Sequence, residues 1–188
     1  MKIVILRHGK PKIGTSGRLA ASGFGQWVAA YNRAGIDSVH APSPNAIAQA
    51  KACSIVVCSN LPRSIESARV LGIKDIEVQD SLFRECEMPY ANWSYPKLSV
   101  LGWSFVFRIL QMFGYSSNAE SFKEARQRAY RCALQLSELA QKNESVLFVG
   151  HGSLNWLIAK NLLRMGWVGP QNAGRKYWSY GVYHYNAI

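Results

Sequence analysis

The stretch Met1-Lys2-Ile3-Val4-Ile5-Leu6-Arg7-His8-Gly9 decides how the rest of this chain is read. A short Ile/Val/Leu run closed by glycine reads as a strand buried in a parallel sheet. Open α/β sheets place their ligand crevice beyond the carboxyl ends of such strands. Arg7 and His8 stand at that end.

Two further runs repeat the logic. Ser145-Val146-Leu147-Phe148-Val149 leads into Gly150-His151-Gly152, and Ser54-Ile55-Val56-Val57-Cys58 leads into Ser59-Asn60-Leu61-Pro62-Arg63 and a helical stretch over 64–71. Three strands therefore deliver two histidines and two arginines to one edge. Guanidinium forks match phosphoryl oxygens, and a neutral imidazole can attack phosphorus. In their order and context these segments resemble the histidine phosphatase superfamily, the group that includes phosphoglycerate mutases and many small phosphatases. Arg7-His8-Gly9 matches the family's opening signature. The segment from Ser59 to Ala68 resembles its S-x-L-x-R-x-x-x-[ST]-A pattern, and Gly150-His151-Gly152 resembles its closing His-Gly.

The resemblance covers most of the chain and implies a phosphoglycerate mutase-like fold: a three-layer α/β/α sandwich around a mostly parallel sheet. It implies His8 as a nucleophile that becomes phosphohistidine, with Arg7, Arg63 and His151 on the non-bridging oxygens. A leaving alkoxide needs a proton, which a carboxyl group of raised pKa can supply. Glu85 is the candidate, because Leu82-Phe83-Arg84-Glu85 resembles the family segment bearing the acid. Cys86-Glu87-Met88-Pro89-Tyr90 lacks the glycine that many relatives carry there, which leaves Glu87 as the alternative. Ser59 and the backbone of His151-Gly152-Ser153 are further candidate phosphate donors. Gly9 and Gly152 suit either a close backbone approach to the ligand or a simple turn. The constellation requires no cofactor and no metal, and there is no carboxylate cluster to hold one.

Phosphatase is preferred to mutase, since Lys10-Pro11-Lys12 follows Arg7-His8-Gly9 where the mutases continue differently. If neither carboxylate reaches the site, the reading shifts to phosphohistidine proteins, whose leaving group is easily expelled. A non-catalytic phosphate-binding protein is the rival from another class.

The chain has 188 residues, of which 48% are hydrophobic, enough for one domain over 1–188 with its own core. A cap or insert is expected at about 86–118. The net charge of +11 favours an anionic partner, with a phosphorylated small molecule first and a phosphoprotein second. Nucleic acid is set aside because no reader motif or basic helix accompanies the charge. Cys53, Cys58, Cys86 and Cys132 lack metal-ligand spacing and read as free thiols, so a zinc site with His40 or His184 is not favoured. The first strand begins too early to leave room for a secretory signal, so the cytoplasm is the expected compartment.

Along the chain, residues 11–19 read as a loop over the site, with Lys10, Lys12, Thr15, Ser16 and Arg18 within reach of phosphate. Ser22 is expected to cap a helix whose Phe24, Trp27, Val28 and Tyr31 belong to the core. Helices are expected over 46–53, 119–142 and 154–165, strands over 76–78 and 182–185, and a long loop over 80–96. Residues 98–115 are apolar on nearly every face. A helix capping the site or forming a homodimer contact is preferred there to one lying on a membrane surface. Trp93, Tyr95, Trp103 and Trp178 read as packing rather than ligand contacts.

Overall fold

The computed structural model describes residues 1–186. Five strands, β1 (Lys2–Arg7), β2 (Ile55–Ser59), β3 (Val78–Asp80), β4 (Ser145–Gly150) and β5 (Tyr180–His184), form one sheet in the order β3-β2-β4-β1-β5. The first four run parallel, and β5 runs antiparallel along the outer edge of β1. Six helices complete the fold: α1 (Ala21–Arg33), α2 (Pro44–Lys51), α3 (Pro62–Val70), α4 (Val100–Met112), α5 (Phe122–Asn143) and α6 (Gly152–Arg164).

The two-residue period of the strands sorts their side chains between two layers of helix. Ile3, Ile5, Val57, Val146 and Phe148 pack with α5 and α6. Val4, Leu6, Val56, Cys58, Leu147 and Val149 pack with α2 and α3 on the opposite face. Both sides of β1 and β4 are covered, which is why these strands are apolar runs rather than alternating ones. This is the three-layer α/β arrangement expected. Full burial of each Val, Leu or Ile contributes about 1.5–3 kcal/mol, so the sheet interior is the main source of stability.

A third cluster lies apart from the sheet. Phe24 of α1 stacks on Phe107 of α4, which in turn stacks on Trp103, and Trp93 packs over both Trp103 and Phe107. Of the four aromatics read as packing, Trp103 and Trp93 belong here. Trp178 packs with the sheet cluster and donates its indole N–H to the His40 carbonyl at 2.6 Å.

Several boundaries differ from expectation. Ser22 does not cap α1; Ala20 occupies that position without a side-chain hydrogen bond, and the Ser22 amide donates to the Trp93 carbonyl instead. The strand expected over 76–78 is Val78–Asp80, because Glu77 meets β2 with its own amide and carboxylate and regular pairing starts after it. α2 starts two residues early, at Pro44 behind the Ser43 cap, where a missing N–H costs nothing. The loop over 80–96 contains a 3-10 turn, Ser81–Phe83. Among the described residues no helix is long and apolar enough to cross a membrane.

Candidate active site

Register brings the pieces together. In the parallel pairing of β1 with β4, Arg7 lies opposite Gly150, so His8 and His151 leave adjacent strands side by side. In the pairing of β2 with β4, Cys58 lies opposite Val149, which sets Ser59 at the same level. Pro62 then opens α3 and carries Arg63 on its first turn. The imidazole centroids of His8 and His151 are 5.0 Å apart.

His8 is fully buried, and its Nδ1 lies 2.7 Å from the Gly9 carbonyl. A carbonyl oxygen only accepts, so Nδ1 carries the proton and Nε2 of the neutral ring presents a lone pair. Burial, followed by His151, Arg63 and Arg7, holds the His8 pKa well below its ordinary 6.5 and keeps the ring neutral. That is the form in which imidazole is a nucleophile.

His151 is arranged the other way round. Its Nε2 lies 2.7 Å from Ser59 Oγ, and that oxygen also accepts the Leu61 amide at 3.3 Å. In the tautomer that uses both ring nitrogens, the Ser59 hydroxyl donates to Nε2 and the ring proton sits on Nδ1, the nitrogen left without a protein partner among the described residues. Asn155 Oδ1 accepts the His151 amide and fixes the backbone behind the ring. Burial first, then Arg63 and Arg7, lower the His151 pKa well below 6.5 as well.

Five buried side-chain nitrogens lack a hydrogen-bond partner among the described residues: Arg7 Nε, His8 Nε2, Arg63 Nε, Arg63 Nη2 and His151 Nδ1. They belong to the four residues singled out from the sequence. Nε and Nη2 of Arg63 form one edge of the guanidinium, suited to two phosphoryl oxygens. Each cation is also anchored to the protein: Arg63 Nη1 donates to the Tyr31 carbonyl at 2.9 Å, and Arg7 Nη1 donates to the Arg175 carbonyl. Each guanidinium also lies over an aromatic ring, Arg63 over Tyr31 at 4.3 Å and Arg7 over Tyr177 at 4.4 Å.

Glu85 lines the same cleft as Arg7, but not in the state expected of it. Its carboxylate accepts the amides of Ser153 and Leu154, at 3.1 Å each, and of Cys86 at 2.9 Å. Burial pushes its pKa up, yet the Arg108 charge and these three amides outweigh that and hold it below its ordinary value. The raised pKa assigned from sequence is therefore corrected. So is the reading of the α6 N-terminus as a phosphate cradle, since its amides at Ser153 and Leu154 are taken by Glu85. Ser59 Oγ is likewise committed to His151 and Leu61 rather than aimed at a ligand. Glu87 is exposed, and its carboxylate accepts the Glu120 amide at 2.7 Å, which ties down the loop. A Cβ at Gly9 would run into the Trp178 ring, so this glycine answers to packing rather than to a ligand.

Two neighbouring cavities, of about 960 and 450 Å³, share Arg7, Glu85, Cys86, Arg108 and Ser153 in their linings. Lys10, Thr15 and Ser16 line the larger; Lys12 and Arg18 do not. Trp27, Val28 and Tyr31, expected in the core, line it too, as do Tyr90 and Tyr177. Tyr177, Arg108 and Asn155 were not found by sequence reasoning. The segment bearing Tyr177 has no regular periodicity, and the partners of the other two are distant in the chain. The four cysteines are free, and no three His, Cys, Asp or Glu side chains cluster in a way that could hold a metal among the described residues.

Among solved structures, the chain is similar to the open reading frame Rv3214 product of Mycobacterium tuberculosis, at 15% identity and a TM-score of 0.61, covering 98% of this chain and 91% of that one. It is similar to mycobacterial glucosyl-3-phosphoglycerate phosphatase in complex with VO3, at 18% identity and 0.59, covering 96% and 91%. It is also similar to the ecdysone phosphate phosphatase of Bombyx mori in complex with tungstate, at 15% and 0.53, covering 96% and 88%. At these identities the likeness establishes the fold. No curated protein matches the sequence. The match that fixes the family is to the histidine phosphatase superfamily (branch 1) over residues 3–187, and the chain belongs to that superfamily.

Proposed function

We propose that the protein is a phosphatase that hydrolyses a phosphomonoester through a phosphohistidine on His8, without a metal. The observation that carries this reading is the unpartnered Nε2 of His8, its ring proton pinned to Gly9, facing unpartnered donors of Arg7, Arg63 and His151. In the first step Nε2 attacks phosphorus, a P–N bond forms and the P–O bond to the leaving group breaks. The two guanidinium groups and His151 Nδ1–H stabilise the charge on the non-bridging oxygens. In the second step water attacks, the P–N bond breaks, and His8 returns to its neutral state with inorganic phosphate released. Glu85, ionised at rest, is set to take the proton from that water; a bound phosphoryl dianion raises its pKa towards the acid needed in the first step. Two of the similar structures are of phosphatases in complex with the oxoanions VO3 and tungstate, in keeping with an oxoanion in this site.

One observation favours a second reading. A Glu85 held below its ordinary pKa is a poor acid for an alkoxide leaving group, whereas phosphohistidine in a protein needs little help to leave. Hydrolysis of an activated aryl phosphate in chelator tests the first proposal: wild type turns over and His8→Ala does not. Turnover by folded His8→Ala at the wild-type rate overturns it. A preference of at least about tenfold in kcat/KM for a phosphohistidine protein over aryl and alkyl phosphates would select the second.

A further inference from the structure

We propose that the outward face of α4 is a docking surface for an anionic lipid bilayer. Residues one helical turn apart share a face, and here Leu101, Phe105, Met112 and Phe113 are 74%, 68%, 66% and 87% exposed, with Ile109 between them. The opposite face, Val100, Trp103, Phe107 and Gln111, is buried, so the exposed stripe is not a stray residue or two but the whole second side of the helix. Burying such residues elsewhere in the fold would have been the ordinary outcome, and a contiguous apolar patch of this kind marks a contact surface.

Charge says what the partner is. No Asp or Glu occurs from Met88 to Ala119, and the charges there are Lys97 and Arg108. The chain carries +11 overall, and among the described residues Arg128 is the sole lysine or arginine in a salt bridge. Leu101, Ser104 and Arg108 of α4 also line the larger cleft, together with Lys10, Arg33 and Arg84, all three exposed. Two acids line that cleft: Glu87 is committed to the Glu120 amide, and Glu85 to the amides of Cys86, Ser153 and Leu154 and to the Arg108 charge. Arg108 is turned to Glu85 and the loop carbonyls, but an apolar stripe beside exposed Lys97, Lys10, Arg33 and Arg84, none of them in a salt bridge among the described residues, matches the acyl boundary and headgroups of an anionic bilayer. The segment entering the helix adds exposed Trp93 and Tyr95 with Lys97 over the Tyr95 ring, residue types that favour the membrane interface. A second copy of the chain is a poorer occupant. Face-to-face contact would bring together two molecules of +11 with no acid in either segment to pair. The stripe is also a single helix ridge, which a bilayer accepts without a shaped groove.

The test is co-sedimentation of the full chain with vesicles of phosphatidylcholine alone or with phosphatidylglycerol added. The expected result is binding to the anionic vesicles alone, weakened by salt and reduced at least about tenfold in Phe105→Ser/Phe113→Ser. Neither residue lines the cleft, so circular dichroism and aryl phosphate turnover of this variant should equal wild type. His8→Ala should bind vesicles as wild type does, which separates docking from the catalytic proposal. Absence of binding to anionic vesicles, equal binding to the neutral ones, or undiminished binding by the double variant overturns the proposal. So does a dimer in sedimentation velocity that the double variant converts to monomer, which would assign the face to a second copy.

Discussion

The two histidines are chemically alike and are differentiated by one neighbour each. Gly9 pins the His8 proton to Nδ1, and Ser59 lets His151 keep its proton on the nitrogen facing the ligand. Ser59 is thus a positioning residue. Ser59→Ala should lower kcat/KM by about tenfold, the worth of one hydrogen bond to a catalytic ring, while the thermal midpoint changes little. The pH profile follows from the shift at His8: its nucleophilic form is already the neutral ring at pH 6.5, so the acid limb of kcat/KM should fall well below that value. A limb centred at or above 6.5 would contradict the burial argument. Arg7, His8 and His151 were legible in the sequence because each sits at or next to an unmistakable strand end, and Arg63 because it follows β2 by four residues in a segment that resembles the family pattern. The role of Ser59, the state of Glu85 and the presence of Tyr31 and Tyr177 were not. They depend on which groups from distant segments arrive beside them, and no local pattern encodes that.

At the scale of elements, the carboxylate of Glu85 is positioned from two directions. α6 offers it two amides, and α5 grips the loop that carries it. Arg128 on α5 donates to the carbonyls of Leu82 and Arg84 at 2.7 and 2.8 Å, and its guanidinium pairs with Glu120, each side chain 14% exposed. Arg128→Leu would leave Glu120 largely buried and unpaired and release the backbone carbonyls of Leu82, Arg84 and Glu85. It should cost about 3 kcal/mol in urea unfolding and reduce turnover with it. The Ser121–Glu124 capping box at the start of α5 is a smaller matter, and Ser121→Ala should cost about 1 kcal/mol. Helix existence was readable from the apolar spacing of α5 and α6, whereas ends such as the start of α1 were not. There a backbone contact to Trp93, remote in sequence, replaced the side-chain cap that Ser22 suggested.

At the scale of the molecule, two properties couple the site to the fold. The first is the pair of buried neutral histidines. In the unfolded chain they titrate near 6.5, and in the fold well below it, so between those values the unfolded state binds more protons. Stability therefore rises with pH up to about 6.5 and is lost as pH falls below it. The thermal midpoint should drop on acidification, and the drop should be smaller in His151→Asn. The second is the charge of +11, which draws anions to the cleft through water. KM for an anionic substrate should rise with added salt while kcat stays level.

The three-layer architecture was readable because two strands with fully apolar faces demand helices on both sides. What lies on the outside of α4 was not, since an all-round apolar helix gives no sign of which half the fold will cover. The central claim concerns one bond, between phosphorus and His8 Nε2. It is tested most directly by rapid quench of the enzyme and substrate labelled at phosphorus into alkaline detergent, followed by mapping of the label at alkaline pH. The account predicts a label on His8 that is stable in base, labile in acid, and missing from His8→Ala. Turnover at full rate with no label on the wild type, or a label that persists in His8→Ala, would contradict it.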